Sequence, residues 1–290
     1  MTNIYSNTKQ SKKIKKLLVP LILLICGYQM DINKNYKTFL DNDMVLEYLK
    51  NYKADDEIIK YVKEKFNFNG KIIYLRNFAN AECMIYYNDN ECYLVFIGTQ
   101  FNFNDKVSMC KDLWTDICLG LSSIDFLNPK IKMHSKYICN MNDKNLMSRI
   151  SKYVEKLGFK NITICGHSMG CGLGMYTSIV LTRQFTNKKF NLITFDSPKI
   201  GNEELNKYVK QINNLNQLDI VNNKDIIPLF PFIFPNYLHI ANKTLILQTD
   251  GNVEICKNLN KKINIFTNNS INDHFTNNIL SNVYKCIISL

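Results

Sequence analysis

Ile162-Thr163-Ile164-Cys165-Gly166-His167-Ser168-Met169-Gly170-Cys171-Gly172-Leu173-Gly174 is the stretch on which the reading of this chain turns. Apolar and β-branched residues lead into Gly-x-Ser-x-Gly and small residues lead out of it, the pattern of a strand passing through a tight turn into a helix. In such a turn the positions two before and two after the serine have almost no room for a side chain, which accounts for Gly166 and Gly170. The turn lifts the Ser168 hydroxyl out at the end of the strand. It also sets the serine at a helix N-terminus, where the dipole and the main-chain N–H groups favour developing negative charge. The N–H of Met169, directly after the serine, is the expected first donor to such a charge. Gly172 and Gly174 let the helix lie close on its neighbours.

Outward from this elbow, short apolar segments at 161–165, 190–195 and 217–221 alternate with helical periodicity at 145–157, 169–185 and 203–212. That alternation demands parallel crossover units, hence an open, mostly parallel α/β sheet with helices on both faces. Upstream, Val45, Tyr48, Leu49 and Tyr52, then Ile58, Ile59, Val62 and Phe66, predict amphipathic helices over 44–52 and 57–66. Strands follow at 71–75, 81–87 and 91–97, the last two joined by the turn Asn88-Asp89-Asn90. Segments 244–248 and 253–256 predict an edge hairpin, and 274–290 a closing helix. No repeat or long linker divides the chain, so 31–290 reads as one domain.

With 290 residues, 46% of them apolar and 12% aromatic, the chain has ample material for a core, which excludes intrinsic disorder. Its net charge is +11, but Lys9, Lys12, Lys13, Lys15 and Lys16 crowd one short stretch. The remaining 31 basic and 25 acidic residues leave a mild +6, which suits an anionic lipid surface as well as a nucleic acid. No basic block recurs, and no nucleic-acid partner is expected. The lysines are followed by ten apolar residues at 17–26, about half of the roughly 20 needed to cross a bilayer. Residues 1–30 thus read as a secretory signal, cleaved after Gly27, or as an uncleaved signal anchor, giving a secreted or membrane-anchored protein. The alternative is a buried N-terminal strand or helix. Ten cysteines show no C-x-x-C pair, so neither a metal nor a cofactor is expected. A bridge from Cys83 to Cys92 across the predicted hairpin and a set of free thiols in a reducing compartment both fit.

Gly166-His167-Ser168-Met169-Gly170 has three companions: Val95-Phe96-Ile97-Gly98-Thr99, Thr194-Phe195-Asp196-Ser197-Pro198-Lys199-Ile200-Gly201-Asn202, and Asn223-Lys224-Asp225-Ile226-Ile227-Pro228. In this order the four blocks resemble the fungal-type (class 3) lipases, a family of triacylglycerol lipases, phospholipases A1 and related esterases with the α/β-hydrolase fold. The resemblance implies a serine hydrolase using Ser168, with a lid over an acyl-binding groove. It also points to Thr99 as the second oxyanion donor, a role its place after an early strand supports. Where family members usually have Arg, this chain has Ile97, and where they more often have Gly it has Asp196.

A serine nucleophile needs a histidine to take its proton and a carboxylate to hold the imidazole in the right tautomer. His167 lies within the elbow and His134 precedes it, in a block resembling a structural histidine motif of the family. In the order serine, acid, histidine only His239 and His274 qualify. The base belongs on the loop after the last strand, which selects His274 and leaves His239 as a packing residue. For the acid, Asp225 follows the strand at 217–221 and opens Asp-Ile-Ile-Pro, which matches the family's acid motif. Asp196, at the end of the preceding strand, is its rival, while Asp219 and Asp250 read as solvated charges.

Between Thr99 and the helix at 145 lies a long segment carrying Phe101, Phe103 and Trp114 among other apolar residues. So much apolar surface on a connection covers something or binds something. It is the expected lid and groove wall, with Phe232 on a second apolar loop beside the acid. Core beneath the sheet edge is the plainer reading of Trp114. The resulting expectation is an acyl-lipid hydrolase at a membrane or droplet interface, most simply a triacylglycerol lipase. A phospholipase A1 or acyltransferase with the same triad and an inactive, membrane-binding hydrolase fold are the alternatives.

Overall fold

Side-chain alternation in β4 (Cys92–Phe96) fixes how the sheet is clothed. In the computed structural model, which describes residues 7–32, 36–77, 81–98, 120–231, 236–241, 243–256, 259–262 and 271–289, Tyr93 and Val95 face one apolar layer and Cys92, Leu94 and Phe96 the other. All five are buried, as in a strand covered on both faces. The first layer holds α1 (Asn7–Ile32), α2 (Asn42–Asn51), α3 (Asp56–Lys65) and the C-terminal helix Thr276–Ile288. The second holds helices Ser135–Asn142, Leu146–Leu157, Met169–Gln184 and Glu203–Lys210.

The sheet has nine strands. β1 (Phe39–Asp41), β2 (Asn69–Arg76), β3 (Glu82–Tyr87) and β4 run antiparallel to one another in that order. From β4 the sheet continues in parallel through β7 (Asn161–His167), β8 (Lys189–Phe195), β9 (Leu215–Asn222) and β10 (Thr244–Leu247). The expected edge hairpin closes it, β11 (Val253–Cys256) lying antiparallel to β10. The central five strands are therefore the parallel part, and their C-terminal ends form one edge where crossover loops converge. A separate two-stranded ribbon joins β5 (Leu121–Ser123) to β6 (Lys132–His134). The three-residue strands were not legible, being too short to show a period. Helix Ser135–Asn142 also lay hidden in what read as a connection; the imidazole of His134 caps it, Nδ1 accepting from the N–H of Lys136 at 3.2 Å.

Residues 17–26, read above as the hydrophobic region of a signal or anchor, are the buried middle of α1. Leu17, Leu18 and residues 21–26 are at most 1% exposed. The helix lies between β4 and β7 on one side and α2 and the C-terminal helix on the other. A helix apolar around its whole circumference is stable in that position because it is covered all round. This is the arrangement of the buried-helix alternative. No helix among the described residues is long and apolar enough to cross a membrane.

Of the two arrangements left open, the bridge between Cys83 and Cys92 is absent, both thiols being free. The register explains it. Cys92 faces Tyr87 across the β3–β4 ladder, four residues along from Cys83, and at about 3.3 Å per residue that separation is roughly 13 Å. Bridged Cα atoms are at most about 7 Å apart.

Candidate active site

Ser168 follows the last residue of β7 and directly precedes the helix Met169–Gln184. Its φ of 56° and ψ of −126° are strained for any residue with a side chain, which is the elbow the glycine spacing predicts. A Cβ on Gly166 would lie 2.5 Å from the carbonyl oxygen of Gly170, and one on Gly170 would lie 2.2 Å from that of Phe96. Both obstacles are backbone, so neither glycine can be replaced without moving a strand or the helix. The Ser168 N–H donates to Phe195 O at 3.1 Å, tying the turn to β8. Ser168 itself is 1% exposed, and Met169 opens the helix at its positive end.

Two loops meet beside the elbow. After β9 the chain turns so that Asp225, fully buried, accepts from the N–H of Ile227 at 2.9 Å through one carboxylate oxygen. Its other oxygen lies 2.6 Å from Nδ1 of His274, which sits in the short 3-10 turn Asn272–His274 and is likewise buried. The loops are laced together by Asp273. Its carbonyl accepts from Asn222 Nδ2 at 2.7 Å, and its carboxylate accepts from Asn223 Nδ2 at 2.9 Å and from the N–H of Lys224 at 3.3 Å.

His167 lies against the same turn. Its ring stacks on that of His274, centroids 4.6 Å apart and planes at 30°, and its Nε2 is 2.8 Å from the main-chain oxygen of His274. Its Nδ1 is 2.8 Å from the hydroxyl of Tyr28 in α1. Burial, then the adjacent His274, holds the His167 pKa well below its ordinary value, keeping the ring neutral.

Asp196 is also in this cluster, at φ 51° just after β8. The N–H of Asn222 donates to it at 2.6 Å. Burial, reinforced by the charge of Asp225, raises its carboxyl well above the usual range. One carboxylate oxygen of Asp196 and one nitrogen each of His167 and His274 lie within 4.8 Å of one another, the only such cluster of metal-ligating types among the described residues. Both His167 nitrogens already have hydrogen-bond partners, which leaves that ring no lone pair for a cation.

The structure thus brings Asp225 and His274 into contact beside the Ser168 elbow. His239 lies elsewhere in its bonding: its Nε2 is 2.6 Å from Asp219, whose other oxygen accepts from the Thr194 hydroxyl at 2.7 Å. Asp219 is therefore not solvated, as it reads in the sequence, but fully buried, its two oxygens facing the His239 ring and the Thr194 hydroxyl. Thr99, Phe101, Phe103, Trp114 and Phe232 lie outside the described residues. The participants that sequence reasoning passed over are His167, whose side-chain direction depends on the elbow's strained turn, and Tyr28, 139 residues away in sequence.

A family model described as lipase (class 3) matches residues 94–234, which run from β4 through the elbow and past Asp225. No curated protein matches the chain by sequence. Among solved structures, the Rhizomucor miehei triacylglyceride lipase is similar at 17% identity and a TM-score of 0.67, covering 91% of this chain and 93% of its own. Lipase II from Rhizopus niveus is similar at 20% identity and a TM-score of 0.65, over 93% of this chain and 94% of its own. A fungal lipase in complex with an inhibitor, described as a model for interfacial activation in lipases, gives 16% identity and a TM-score of 0.67, over 94% and 97%. At these identities the structures speak for the α/β-hydrolase fold. The ordered blocks and the family match over residues 94–234, just under half of the chain, support a class 3 lipase family and a carboxylic ester hydrolase of the serine type.

Proposed function

We propose that this chain hydrolyses acyl esters of lipids, most simply triacylglycerol, through Ser168, His274 and Asp225. The observation that carries the reading is the 2.6 Å contact between His274 Nδ1 and Asp225, both buried, beside a serine held in the strained elbow. A carboxylate on Nδ1 fixes the tautomer in which Nε2 is the acceptor, the form needed to take a proton from a hydroxyl. Ser168 Oγ then attacks the ester carbonyl while His274 takes its proton. The tetrahedral intermediate collapses, the alcohol leaves with that proton, and an acyl-Ser168 ester remains. Water, giving a proton to the same His274, attacks that ester and releases the fatty acid and the serine. In this reading the N–H of Met169 and Thr99 stabilise the oxyanion, and Phe101, Phe103, Trp114 and Phe232 line or cover the acyl groove. No metal or cofactor takes part.

The similarity to a lipase studied for interfacial activation, the apolar segment 101–126 and the residual +6 charge support action at a lipid surface. Transit through the secretory pathway rests on the basic-then-apolar order of residues 9–26 alone. The decisive test is covalent labelling by a fluorophosphonate. Labelling that disappears in Ser168→Ala supports the reading, and a folded protein that never labels would point to an inactive, membrane-binding fold. Hydrolysis of triacylglycerol, phosphatidylcholine and a short p-nitrophenyl ester then separates a lipase from a phospholipase A1.

A further inference from the structure

One tautomer accounts for every polar atom along a line of contacts that begins in α1 and ends at the base. His167 Nε2 is 2.8 Å from the carbonyl oxygen of His274, and a carbonyl only accepts, so Nε2 carries the proton. In the neutral ring Nδ1 is then a bare acceptor, and the hydroxyl of Tyr28, 2.8 Å away, donates to it. The Tyr28 oxygen in turn accepts the N–H of Gly98 at 2.7 Å. A Cβ at Gly98 would fall 2.7 Å from that hydroxyl and 2.8 Å from Cβ of Ser168, so the tyrosine and the serine both close in on this glycine. The line runs from Gly98 N–H through Tyr28 and His167 to the main chain of His274, joining four segments of the chain.

We infer that Tyr28, presented by α1, and His167 form a positioning relay that sets both sides of the active site at once. On one side it holds the chain leaving β4 at Gly98, one residue before Thr99. On the other it holds the main chain of His274, so that the imidazole is fixed from its backbone as well as from Asp225. Neither residue reacts; each acts through another. The inference rests on the reading of Ser168 and His274 given above, and it makes the apolar N-terminal helix part of the catalytic apparatus. A chain cut after Gly27 would leave Tyr28 as its first residue, without the helix that orients it.

The test uses the full chain and a short, soluble p-nitrophenyl ester. Tyr28→Phe keeps the ring and deletes the hydroxyl. The expected result is a fall in kcat of about tenfold or more, KM within about twofold of the unaltered enzyme, and a parallel slowing of fluorophosphonate labelling. A tyrosine that merely packs would lower stability and leave kcat alone. A second measurement needs no variant: nitrogen-15 NMR of histidine-labelled native protein should find His167 protonated on Nε2 at neutral pH, and its Nδ1 resonance should move in Tyr28→Phe. An unchanged kcat in a protein that labels normally, a change confined to KM, or His167 protonated on Nδ1 would each overturn the relay while leaving the hydrolase reading intact. Absence of labelling in the unaltered protein would remove the hydrolase reading and the relay's catalytic role with it.

Discussion

The imidazole of His167 stacks on that of His274 at a centroid distance of 4.6 Å while its Nε2 donates to the His274 main-chain oxygen at 2.8 Å. The two rings therefore have different hydrogen-bond surroundings. His274 faces a buried carboxylate through Nδ1. His167 faces a hydroxyl and a carbonyl, and burial keeps it neutral. In the proposed mechanism, a neutral His167 ring stacked on His274 adds no second positive charge during the proton transfer.

The acid assignment separates Asp225 from Asp196. Asp225→Asn should lower turnover by about 10²-fold or more, because an amide next to Nδ1 no longer enforces the tautomer the reaction needs. Asp196→Asn should change turnover little. Burial pushes the Asp196 carboxyl well up, and an asparagine keeps the side-chain shape and the acceptor for the Asn222 N–H. Steady-state kinetics on a soluble ester decide it, and the opposite ranking would move the acid to Asp196.

Stability should fall on mild acidification, and His167 supplies part of the reason. Its pKa in the folded protein is depressed below the ordinary 6.5, so the unfolded chain binds the proton more readily. The stabilisation is complete above pH 6.5 and is lost progressively as pH falls from there towards the folded value. Urea unfolding at pH 7.5 and pH 5 should show this loss, and His167→Gln, which cannot titrate, should flatten the difference. An equally steep loss in the variant would assign the whole effect to other groups.

Glycine at 170 is a packing requirement that can be measured. Gly170→Ala places a methyl 2.2 Å from Phe96 O, and an obstacle of backbone rather than side chain should cost about 1–3 kcal/mol or more. Gly120→Ala, where a Cβ meets nothing within 4 Å, is the matched control and should melt like the native protein.

Removal of residues 1–27 should yield insoluble or unfolded protein. Leu17, Leu18, Leu21, Ile22, Leu23, Leu24 and Ile25 are all buried in α1. At roughly 1.5–3 kcal/mol for each fully buried side chain, their loss rivals the whole stability of a domain, about 5–15 kcal/mol. The intact mass of purified active enzyme should accordingly include α1; an active species beginning at Tyr28 would contradict this.

Activity against substrate concentration should rise sharply once the ester exceeds its solubility, more on anionic than on neutral lipid, with salt weakening the preference. Phe101→Ser with Phe103→Ser should flatten that rise and leave hydrolysis of a small soluble ester nearly intact. Smooth saturation through the solubility limit would leave an esterase without interfacial behaviour.

The elements that carried their own periodicity were legible from sequence: the helices around Val45 and Ile58, the strands around the elbow and the edge hairpin all lie within a few residues of their expected places. So was the elbow, since Gly166 and Gly170 are demanded by contacts only a few residues away in sequence or across one strand. The contact of Asp225 with His274 beside the elbow followed from chain order, because crossover topology limits which loops reach this edge of the sheet. What the tertiary structure alone decided were properties of the environment. Basic residues followed by an apolar run read alike whether the run enters a membrane or a core, and only the sheet and helices around α1 make it core. Asp219 reads as a surface charge until its burial against Thr194 and His239 is known. The line from Tyr28 through His167 to His274 joins residues 139 and 107 positions apart, and its hydrogen-bond directions exist only once the rings are placed in space.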